Sequence, residues 1–417
     1  MNSTVHYMNN CLMNMDNKYI LIVSAVYPPE PVVSSKLSHD LYQGLKEQGL
    51  TVRVLHPHPT RPNGFVFGDK VVGGQDEITM QSYVCPQSSL VGRMRESWSF
   101  GKACSKYIKE HYFEISCIYA NAWPMFSQKA IVKAARKYGI PCIIHVQDVY
   151  PESLTNKMNG CMGNIIYKLI LPMDKYILGH CTKVVAISEK MRDYLIVSRN
   201  IPKAKTSVVI NWQDEHEFLD YQKTAKPQEK HPFTFMYMGN IGPVAGVDLL
   251  IEAFTQAGLN NAKLVVAGSG SMKEKLQEKA AAKKNIEFWD VPNGKVPEIQ
   301  SKADCMLLPI KKGAASSSIP SKLPAYMFSA KPIIGCMDAD SDTADAINQA
   351  ECGWVIEPEN VRLLAEKMKT VAALDTAYLK VYGENALKYG LEHFSKKMNL
   401  EKLTKILLNS IKDVNYE

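Results

Sequence analysis

Three short segments rich in glycine and small residues have the composition of loops that bind phosphate. They occupy residues 239–242, 268–271 and 313–321, and the first two directly follow short apolar runs. Glycine lets the backbone approach a phosphate closely, and the free N–H groups at the start of a following helix attract anions. Such turns also serve simply as tight connections between a strand and a helix, so each one alone is a weak signal.

Lys322 follows the third segment and falls in the first turn of a predicted helix. A cation is unfavourable at that place because the positive end of the helix dipole lies there. A bound anion would compensate for the charge, which favours a phosphate ligand. The alternative is a flexible loop with a solvated lysine.

His145 ends an apolar run, and two carboxylates, Asp148 and Glu152, follow it closely. A histidine at the carboxyl end of a strand can orient or stabilise a reacting group, because its pKa lies near neutral pH. A histidine with a purely structural role would have the same local sequence. The cluster is therefore a candidate for chemistry that needs support from its context.

Two patterns imitate metal sites, and we assign both to loops. His56 and His58 have the right side chains, but prolines surround them and no third ligand follows nearby. Asp338 and Asp340 form an Asp-x-Asp pattern that is better explained as an acidic turn. We predict no metal site.

Short apolar runs, unbroken and rich in Val and Ile, recur six times in each half of the chain. Such runs are typical of parallel strands buried on both faces, and amphipathic helical stretches alternate with them. The runs occupy residues 19–26, 51–55, 115–120, 142–146, 183–187 and 207–210, and then 233–238, 263–267, 286–289, 305–308, 332–336 and 354–356. This pattern predicts two doubly wound α/β domains with ligands at the carboxyl ends of the strands.

The domain borders are predicted from composition. Residues 1–17 are polar and form a leader, residues 18–220 form the first domain, and the polar segment 221–231 is a linker. Residues 232–395 form the second domain, and residues 396–417 form a terminal helix that returns to the first domain. The length of 417 residues agrees with two domains rather than one.

Composition excludes several classes of protein. No apolar stretch reaches the roughly 20 residues of a membrane-spanning helix, and the amino terminus does not resemble a signal peptide. None of the 10 cysteines forms a Cys-x-x-Cys pair, and several lie in apolar runs, which favours reduced core thiols. We therefore expect a cytoplasmic protein, placed at the inner face of the cytoplasmic membrane if it binds lipid.

Positive charge is concentrated in the first half. Residues 1–229 carry 26 Lys and Arg against 20 Asp and Glu, and residues 90–140 carry nine against three. Residues 92–113 mix these cations with aromatic side chains, a composition that suits an anionic membrane surface. The alternative is a solvated helix packed on a sheet. Nucleic acid is not expected, since no recognition motif is present.

Eight segments, spread over both halves of the chain, form a recognisable set. They are GNIGPVAGVDLLIEAF, KLVVAGSGSMKEKL, SIPSKLPAYMFSAKPII and GWVIEPEN in the second half, and YPPEPVVSSK, HVQDVYPES, KVVAISEKMRDYL and VVINWQDEHEF in the first. Together they resemble the retaining family 4 glycosyltransferases of the GT-B fold, in which two Rossmann-like domains face each other across a cleft. The resemblance covers nearly the whole chain from Lys18, and HPHPTRPNG resembles a bacterial subfamily that transfers N-acetylfucosamine-type sugars.

The resemblance implies transfer of a sugar from a nucleotide diphosphate to a saccharide acceptor, which is often lipid-linked, in bacterial surface polysaccharides such as capsule or O-antigen. No metal or other cofactor is implied. The leaving diphosphate can take the acceptor proton, so the enzyme mainly orients the substrates and stabilises charge. Lys322 and His145 are the implied catalytic residues. The implied donor-binding residues are Gly239, Asn240, Gly242, Gly268, Gly270, Asp290, Val291, Ser318, Ile319, Pro320 and Ser321. The implied acceptor-binding residues are Tyr27, Glu30, Asp148 and Glu152.

The sequence also departs from the family pattern. Asn240 and Ala245 replace an Arg and a Lys that many relatives carry in the first glycine loop, and Ser317 and Ala325 replace two glutamates. Val32 and Val33 likewise stand where relatives often have two glycines. Ser317 and Ala325 leave open a catalytically weak relative that acts as an assembly partner. A nucleotide-sugar 2-epimerase of the same fold also stays open, although it would need more carboxylates in the cleft.

Overall fold

The computed structural model describes residues 18–61, 74–85, 89–121, 125–155, 158, 160–225, 231–243, 245–312 and 319–415. The chain forms two compact units, Met1–Asn211 with Leu400–Glu417, and Trp212–Asn399. The predicted leader, residues 1–17, lies outside the described residues, as does Ser318.

The first unit is built on a parallel sheet of seven strands in the order β3-β2-β1-β4-β5-β6-β7. Its strands are β1 (Tyr19–Ser24), β2 (Val52–Pro57), β3 (Glu77–Met80), β4 (Ile115–Asn121), β5 (Cys142–Val146), β6 (Lys183–Ala186) and β7 (Thr206–Val208). Every residue of β1, β4 and β5 is buried, which explains why these runs are apolar without interruption. The order reverses between β1 and β4, the position at which ligands bind in such sheets.

The helices of the first unit alternate with its strands, as predicted. They are α1 (Val33–Glu47), α2 (Leu90–His111), α3 (Phe126–Lys137), α4 (Glu152–Thr155), α5 (Gly160–His180) and α6 (Glu189–Arg199). Buried residues of α2, α3 and α5 join the strands in one core, which includes Phe100, Ile131 and Ile177.

The second unit contains a parallel sheet of six strands in the order β10-β9-β8-β11-β12-β13. Its strands are β8 (Phe233–Met238), β9 (Ala262–Ala267), β10 (Ile286–Trp289), β11 (Cys305–Pro309), β12 (Ile333–Cys336) and β13 (Gly353–Ile356). Its helices are α7 (His216–Thr224), α8 (Val247–Ala257), α9 (Lys273–Ala280), α10 (Val296–Ser301), α11 (Lys322–Phe328), α12 (Asp342–Gln349), α13 (Val361–Ala372) and α14 (Thr376–His393). The last helix, α15 (Lys396–Asn415), begins in this unit, and its residues from Leu400 belong to the first unit.

The border between the units lies earlier than the predicted linker 221–231. Helix α7 packs within the second unit, where the rings of Phe218 and Phe328 are 5.8 Å apart. The Gln222 side chain also donates a hydrogen bond to the carbonyl of Phe328 at 2.7 Å. Composition alone could not reveal this, because α7 is polar on its outer side and continues into a polar segment.

The described cysteines agree with the expected reduced thiols in the core. The nine described cysteines are free, and all except Cys161 are buried. None of the described helices combines the length and the apolarity that crossing a membrane requires.

Candidate active site

Lys322 lies directly against Gly239, at the carboxyl end of β8. A Cβ atom at Gly239 would overlap Lys322 Cε, and Gly239 has a φ of +152° that side-chain-bearing residues rarely adopt. Glycine is therefore required here for two reasons, the backbone conformation and the space that the lysine occupies. The structure brings together the first glycine segment and the predicted lysine.

The ammonium group of Lys322 is half-buried and forms no ion pair with any of the described residues. Its Nζ lies 5.2 Å from the centre of the Tyr237 ring, so an aromatic face rather than a carboxylate accompanies it. Burial lowers the pKa of Lys322 because the charged form loses solvation. A half-buried positive charge without an ion pair among the described residues favours a bound anion.

The two glycine loops are joined to each other by backbone hydrogen bonds. The Gly239 N–H donates to the carbonyl of Ala267 at 3.0 Å, and the Ile241 N–H donates to the carbonyl of Ser269 at 2.8 Å. A Cβ atom at Gly268 or Gly270 would overlap the carbonyl oxygen of Gly239 or Ile241, respectively. Close packing of the loops thus gives Gly268 and Gly270 a structural role, whether or not they also touch a ligand.

The other residues predicted to bind the donor lie in or beside these loops, and they differ in how far they are exposed to solvent. Asn240 is exposed, and its carbonyl accepts a hydrogen bond from the Tyr237 hydroxyl at 2.7 Å, whereas Gly242 is buried. Ile319 and Pro320 are half-buried and Ser321 is exposed, immediately before α11.

Asp290 and Val291 follow β10, as predicted. The Asp290 side chain is 91% exposed and pairs with Lys273, its Oδ1 lying 2.6 Å from Lys273 Nζ. Lys273 also donates to the carbonyl of Gly268 at 3.0 Å, so it connects the second glycine loop to the loop after β10. Lys273 was not predicted, although its place at the start of a helix after a glycine loop is the same signal that identified Lys322.

Tyr326 holds the strand end that precedes the first glycine loop, and this role was not predicted. Its buried hydroxyl lies 2.9 Å from both the backbone nitrogen and the carbonyl oxygen of Met238, the last residue of β8. One side chain of α11 therefore fixes the strand end from which the first glycine loop starts, while Lys322 at the start of the same helix reaches that loop. Ala325, where the family resemblance implies a glutamate, is buried.

His145 lines a cavity of about 340 Å³ at the carboxyl edge of the first sheet. Its Nδ1 is 2.7 Å from the Tyr119 hydroxyl, and its Nε2 is buried without a hydrogen bond to any of the described residues. Burial lowers the pKa of His145 to about 4, although the nearby backbone of Val209 opposes the shift. The imidazole is therefore neutral at pH 7.

Polar side chains from several elements share this cavity with His145. Asp148 is among them, as predicted, and lies exposed at its edge. The Nε2 of Gln147 is buried without a partner among the described residues. Further polar lining residues, none of them predicted, are Ser34, Arg61, Asn121, Gln128 and Asp174. Gln147 could have been found, since it directly follows the strand that His145 ends.

Glu152 does not line the cavity, and its carboxylate is held elsewhere. Both oxygens of Glu152 accept hydrogen bonds from the guanidinium of Arg199, at 2.8 and 2.6 Å. The Tyr194 hydroxyl adds a third bond at 2.5 Å, and Arg199 also binds Asp174 at 2.6 Å. This network gives Glu152 a structural role and leaves few of its lone pairs for a ligand, so its acceptor contact stays a prediction.

Glu30 and Tyr27 are likewise held by residues of their own unit. Glu30 is buried, and its Oε1 accepts the backbone N–H groups of Thr60 and Arg61 at 2.7 and 2.8 Å. Burial raises the pKa of Glu30 despite these bonds. The Tyr27 hydroxyl lies 3.2 Å from Glu77 Oε1, and its ring stacks on His56 with centres 5.0 Å apart. These contacts shape the edge of the sheet rather than the cavity.

The predicted membrane segment forms most of α2, and the structure divides its apolar residues between two sides. Phe100 and Ile108 are buried in the core of the first unit, so they are not available to a membrane. A stripe on the other side exposes apolar residues near the amino end and lysines further along. Its members are Leu90, Val91, Met94, Trp98, Lys102, Lys106 and Lys109.

Among the described residues one cluster of two carboxylates and a histidine has ligand atoms close enough to hold a metal. Its members are Asp214, Glu215 and His216. Its acceptors are already engaged, because Asp214 binds the His216 ring at 2.8 Å and Glu215 binds the backbone of Lys396 at 2.9 Å. The arrangement caps the start of α7 and gives no reason to assign a metal.

Comparison with known proteins agrees with both halves of the fold. Residues 35–212 match the model of the glycosyl transferase 4-like domain, and residues 220–409 match that of glycosyl transferases group 1. The probable glycosyltransferase WbjE of Pseudomonas aeruginosa is 22% identical over 63% of this chain and 67% of its own length. The putative colanic acid biosynthesis glycosyl transferase WcaI of Escherichia coli is 22% identical over 73% of this chain and 79% of its own length.

Solved structures show the same architecture. A glycosyltransferase from Rickettsia africae has a TM-score of 0.66 and 16% identity, covering 95% of this chain and 99% of its own. HepE from Anabaena, solved in complex with UDP, has a TM-score of 0.62 and 13% identity, covering 94% of this chain and all of its own. The predicted GT-B class is confirmed. The chain thus consists of a glycosyl transferase 4-like domain followed by a group 1 glycosyltransferase domain, and is a GT-B glycosyltransferase similar to enzymes of polysaccharide biosynthesis.

Proposed function

We propose that this glycosyltransferase retains the anomeric configuration of its donor and transfers a sugar from a nucleotide diphosphate to a saccharide acceptor of a bacterial surface polysaccharide. The observation that carries the proposal is Lys322, a half-buried ammonium group held against Gly239 without an ion pair among the described residues. A diphosphate supplies the anion that this arrangement lacks. As the sugar leaves, negative charge grows on the diphosphate, and Lys322 stabilises it.

The first unit supports the acceptor side of the proposal. Among the side chains that line its cavity are two neutral hydrogen-bonding groups, the ring of His145 and the amide of Gln147, whose Nε2 has no partner among the described residues. Such groups suit sugar hydroxyls, and the low pKa of His145 keeps its ring neutral. Of the two carboxylates that line the cavity, Asp148 is exposed and Asp174 is bound to Arg199. This favours a mechanism in which no protein carboxylate acts as a nucleophile and the diphosphate accepts the proton of the acceptor.

We propose UDP sugars as the first donors to test, because the similar Anabaena structure contains UDP. Neither a metal nor a cofactor is required in this mechanism, since Lys322 supplies the positive charge. Activity should therefore survive treatment with EDTA.

The test is transfer from a panel of UDP, GDP and ADP sugars to polysaccharide repeat-unit acceptors, with and without a lipid carrier. Lys322→Ala and His145→Ala should each lower kcat/KM by at least tenfold, whereas Lys312→Ala, which removes an exposed lysine before the same helix, should not. NMR of the product should show the anomeric configuration of the donor. An inverted product would refute retention.

The same panel separates the competing functions. An epimerase would convert the donor without an acceptor, and an assembly partner would bind without turnover. If no nucleotide sugar raises the melting temperature and none is consumed, the enzyme proposal is wrong.

We also propose that a lipid-linked acceptor is reached at an anionic membrane, which the protein contacts through the exposed stripe of α2. Trp98 is 58% exposed, and Lys102 lies over its ring at 5.6 Å, a pairing that suits the boundary between lipid headgroups and acyl chains. Trp98→Ala should weaken flotation with anionic liposomes, whereas Tyr378→Ala, a similarly exposed aromatic of the second unit, should not. Equal flotation of both variants would reject this surface.

A further inference from the structure

Helix α5 of the first unit exposes an apolar stripe along its first half. The stripe consists of Met162, Ile165 and Leu169, whose exposed fractions are 63%, 58% and 72%. Their spacing of three and four residues places these side chains on one face of the helix. A contiguous apolar row, unlike single exposed residues, marks a contact with a lipid phase or with a partner.

The stripe lies close to the cavity that His145 lines. Asp174 and Leu178, further along α5, belong to the wall of this cavity. At a rise of about 1.5 Å per residue, Leu169 lies about 8 Å from Asp174 along the helix axis, and Met162 about 18 Å. A surface that covers the stripe would therefore reach the neighbourhood of the cavity.

Helix α3, which packs against both α2 and α5, exposes charge instead of apolar side chains. Its exposed residues include Lys129, Lys133, Arg136 and Lys137, and its sequence contains no carboxylate. Lys129 Nζ lies 5.7 Å from the centre of the Tyr176 ring of α5. Buried residues of α2, α3 and α5 share one core, so the three helices cover the same face of the sheet.

The two helices beside α3 have the same sign of charge. Their exposed cations are Arg95, Lys102, Lys106 and Lys109 on α2, and Lys168 and Lys175 on α5. Of the carboxylates of α2, only Glu110 is exposed, and the one carboxylate of α5, Asp174, is buried and bound to Arg199. This excess of exposed cations is complementary to an anionic surface.

We propose that the first half of α5 enters an anionic membrane, with Met162, Ile165 and Leu169 at the boundary between headgroups and acyl chains. The cations of α3 hold the helices against the headgroups. This inference rests on the proposed membrane contact through α2 and deepens it by naming the element that inserts. It also brings the cavity close to the bilayer, where a lipid-linked acceptor presents its sugar.

The test measures partitioning of the full-length protein on vesicles of phosphatidylcholine, with and without phosphatidylglycerol. Leu169→Asp should weaken partitioning on the anionic vesicles at least tenfold, because a charge replaces an inserted apolar side chain. Val381→Asp, which changes a 54% exposed residue of the second unit, should leave it unchanged. Lys133→Glu should weaken it at low salt, whereas Lys388→Glu, which changes an exposed lysine of α14, should not.

A fluorophore that responds to polarity distinguishes insertion from adsorption by charge alone. Among the described cysteines Cys161 is exposed, and it directly precedes Met162. The label is attached there in a Cys11→Ser background, since Cys11 lies outside the described residues. Its emission should shift to the blue on anionic vesicles, and Leu169→Asp should abolish the shift. Unchanged melting temperatures would show that the variants fold.

The outcomes separate this inference from the proposals on which it builds. Equal partitioning of Leu169→Asp and Val381→Asp, or binding without a blue shift at Cys161, would overturn the insertion of α5 and leave the contact through Trp98 standing. If the wild type does not bind anionic vesicles, both membrane proposals are wrong, while sugar transfer is tested separately. A dimer in solution that Leu169→Asp dissociates would assign the stripe to a second copy of the chain and would also overturn the inference.

Discussion

Replacement of Gly239 by alanine tests whether the position of Lys322, and not only its charge, determines nucleotide binding. The new Cβ would overlap Lys322 Cε, so the side chain must leave its place against the loop. The ammonium group itself remains in the protein. The variant therefore moves a charge without removing it, which distinguishes a specific contact from a general electrostatic effect.

The expected loss follows from the kind of contact that is broken. A hydrogen bond to a charged group contributes about 1.5–3 kcal/mol, and every 1.4 kcal/mol is about tenfold in Kd. We therefore expect Gly239→Ala to weaken binding of UDP, or of whichever nucleotide diphosphate binds the wild type best, by roughly 10- to 150-fold. The positive φ of +152° also predicts a stability cost of about 1–3 kcal/mol.

Gly258→Ala is the matched control, because it has a positive φ of +60° and nothing within 4 Å of the added Cβ. It should lower stability by about 1–2 kcal/mol and leave nucleotide affinity unchanged. Calorimetric titration and urea denaturation measure the two quantities. In the double variant Gly239→Ala/Lys322→Ala, the losses of affinity should be far from additive, since both remove one contact. Wild-type affinity in Gly239→Ala, or fully additive losses, would refute the reasoning.

Three further predictions concern stability. Arg199→Met should lower the free energy of unfolding by about 3–5 kcal/mol, because it leaves Glu152 and Asp174 without their shared cation, and urea denaturation would detect this. His145 has a pKa near 4 in the folded chain against about 6.5 unfolded, so the unfolded state binds more protons between these values and stability falls as pH drops from 6.5 to 4. This linkage contributes about 3 kcal/mol to the free energy of unfolding at neutral pH. His145→Gln should therefore flatten the pH dependence of the urea midpoint, and an equally steep dependence in the variant would contradict this. Tyr326→Phe should cost about 1–3 kcal/mol and speed amide exchange at the end of β8, because two buried backbone groups lose their partner.

Elements with a strong local signal were predicted closely. Strand β8, Phe233–Met238, has the bounds of the predicted apolar run, because all its residues after Phe233 are buried. Strand β3 was missed for the opposite reason. All four of its residues are half-exposed at the edge of the sheet, so Glu77–Met80 contains no apolar run that could reveal a strand. Pairing with β2 creates it, and that pairing is a tertiary effect.

The candidate site was predictable in position more than in contacts. A strand end can be read locally, which is why His145 and Gly239 were placed correctly at the carboxyl edges of their sheets. The partner of a charged side chain cannot be read in this way. Glu152 is bound by Arg199, 47 positions away, and Glu30 by backbone groups 30 positions away. Their carboxylates looked available to a ligand because nothing near them in sequence shows what occupies them.

The replacement of a family glutamate by Ala325 has a physical consequence for Lys322. Residues three apart on a helix are neighbours, so a carboxylate at position 325 would lie within reach of the ammonium group and pair with it. Ala325 is buried, and an ion pair there would compete with a phosphate for the same charge. Without that carboxylate, the ammonium group of Lys322 remains available to an anionic ligand. Burial without a counterion lowers its pKa while no ligand is bound. The missing glutamate is therefore compatible with the proposed contact between Lys322 and a diphosphate.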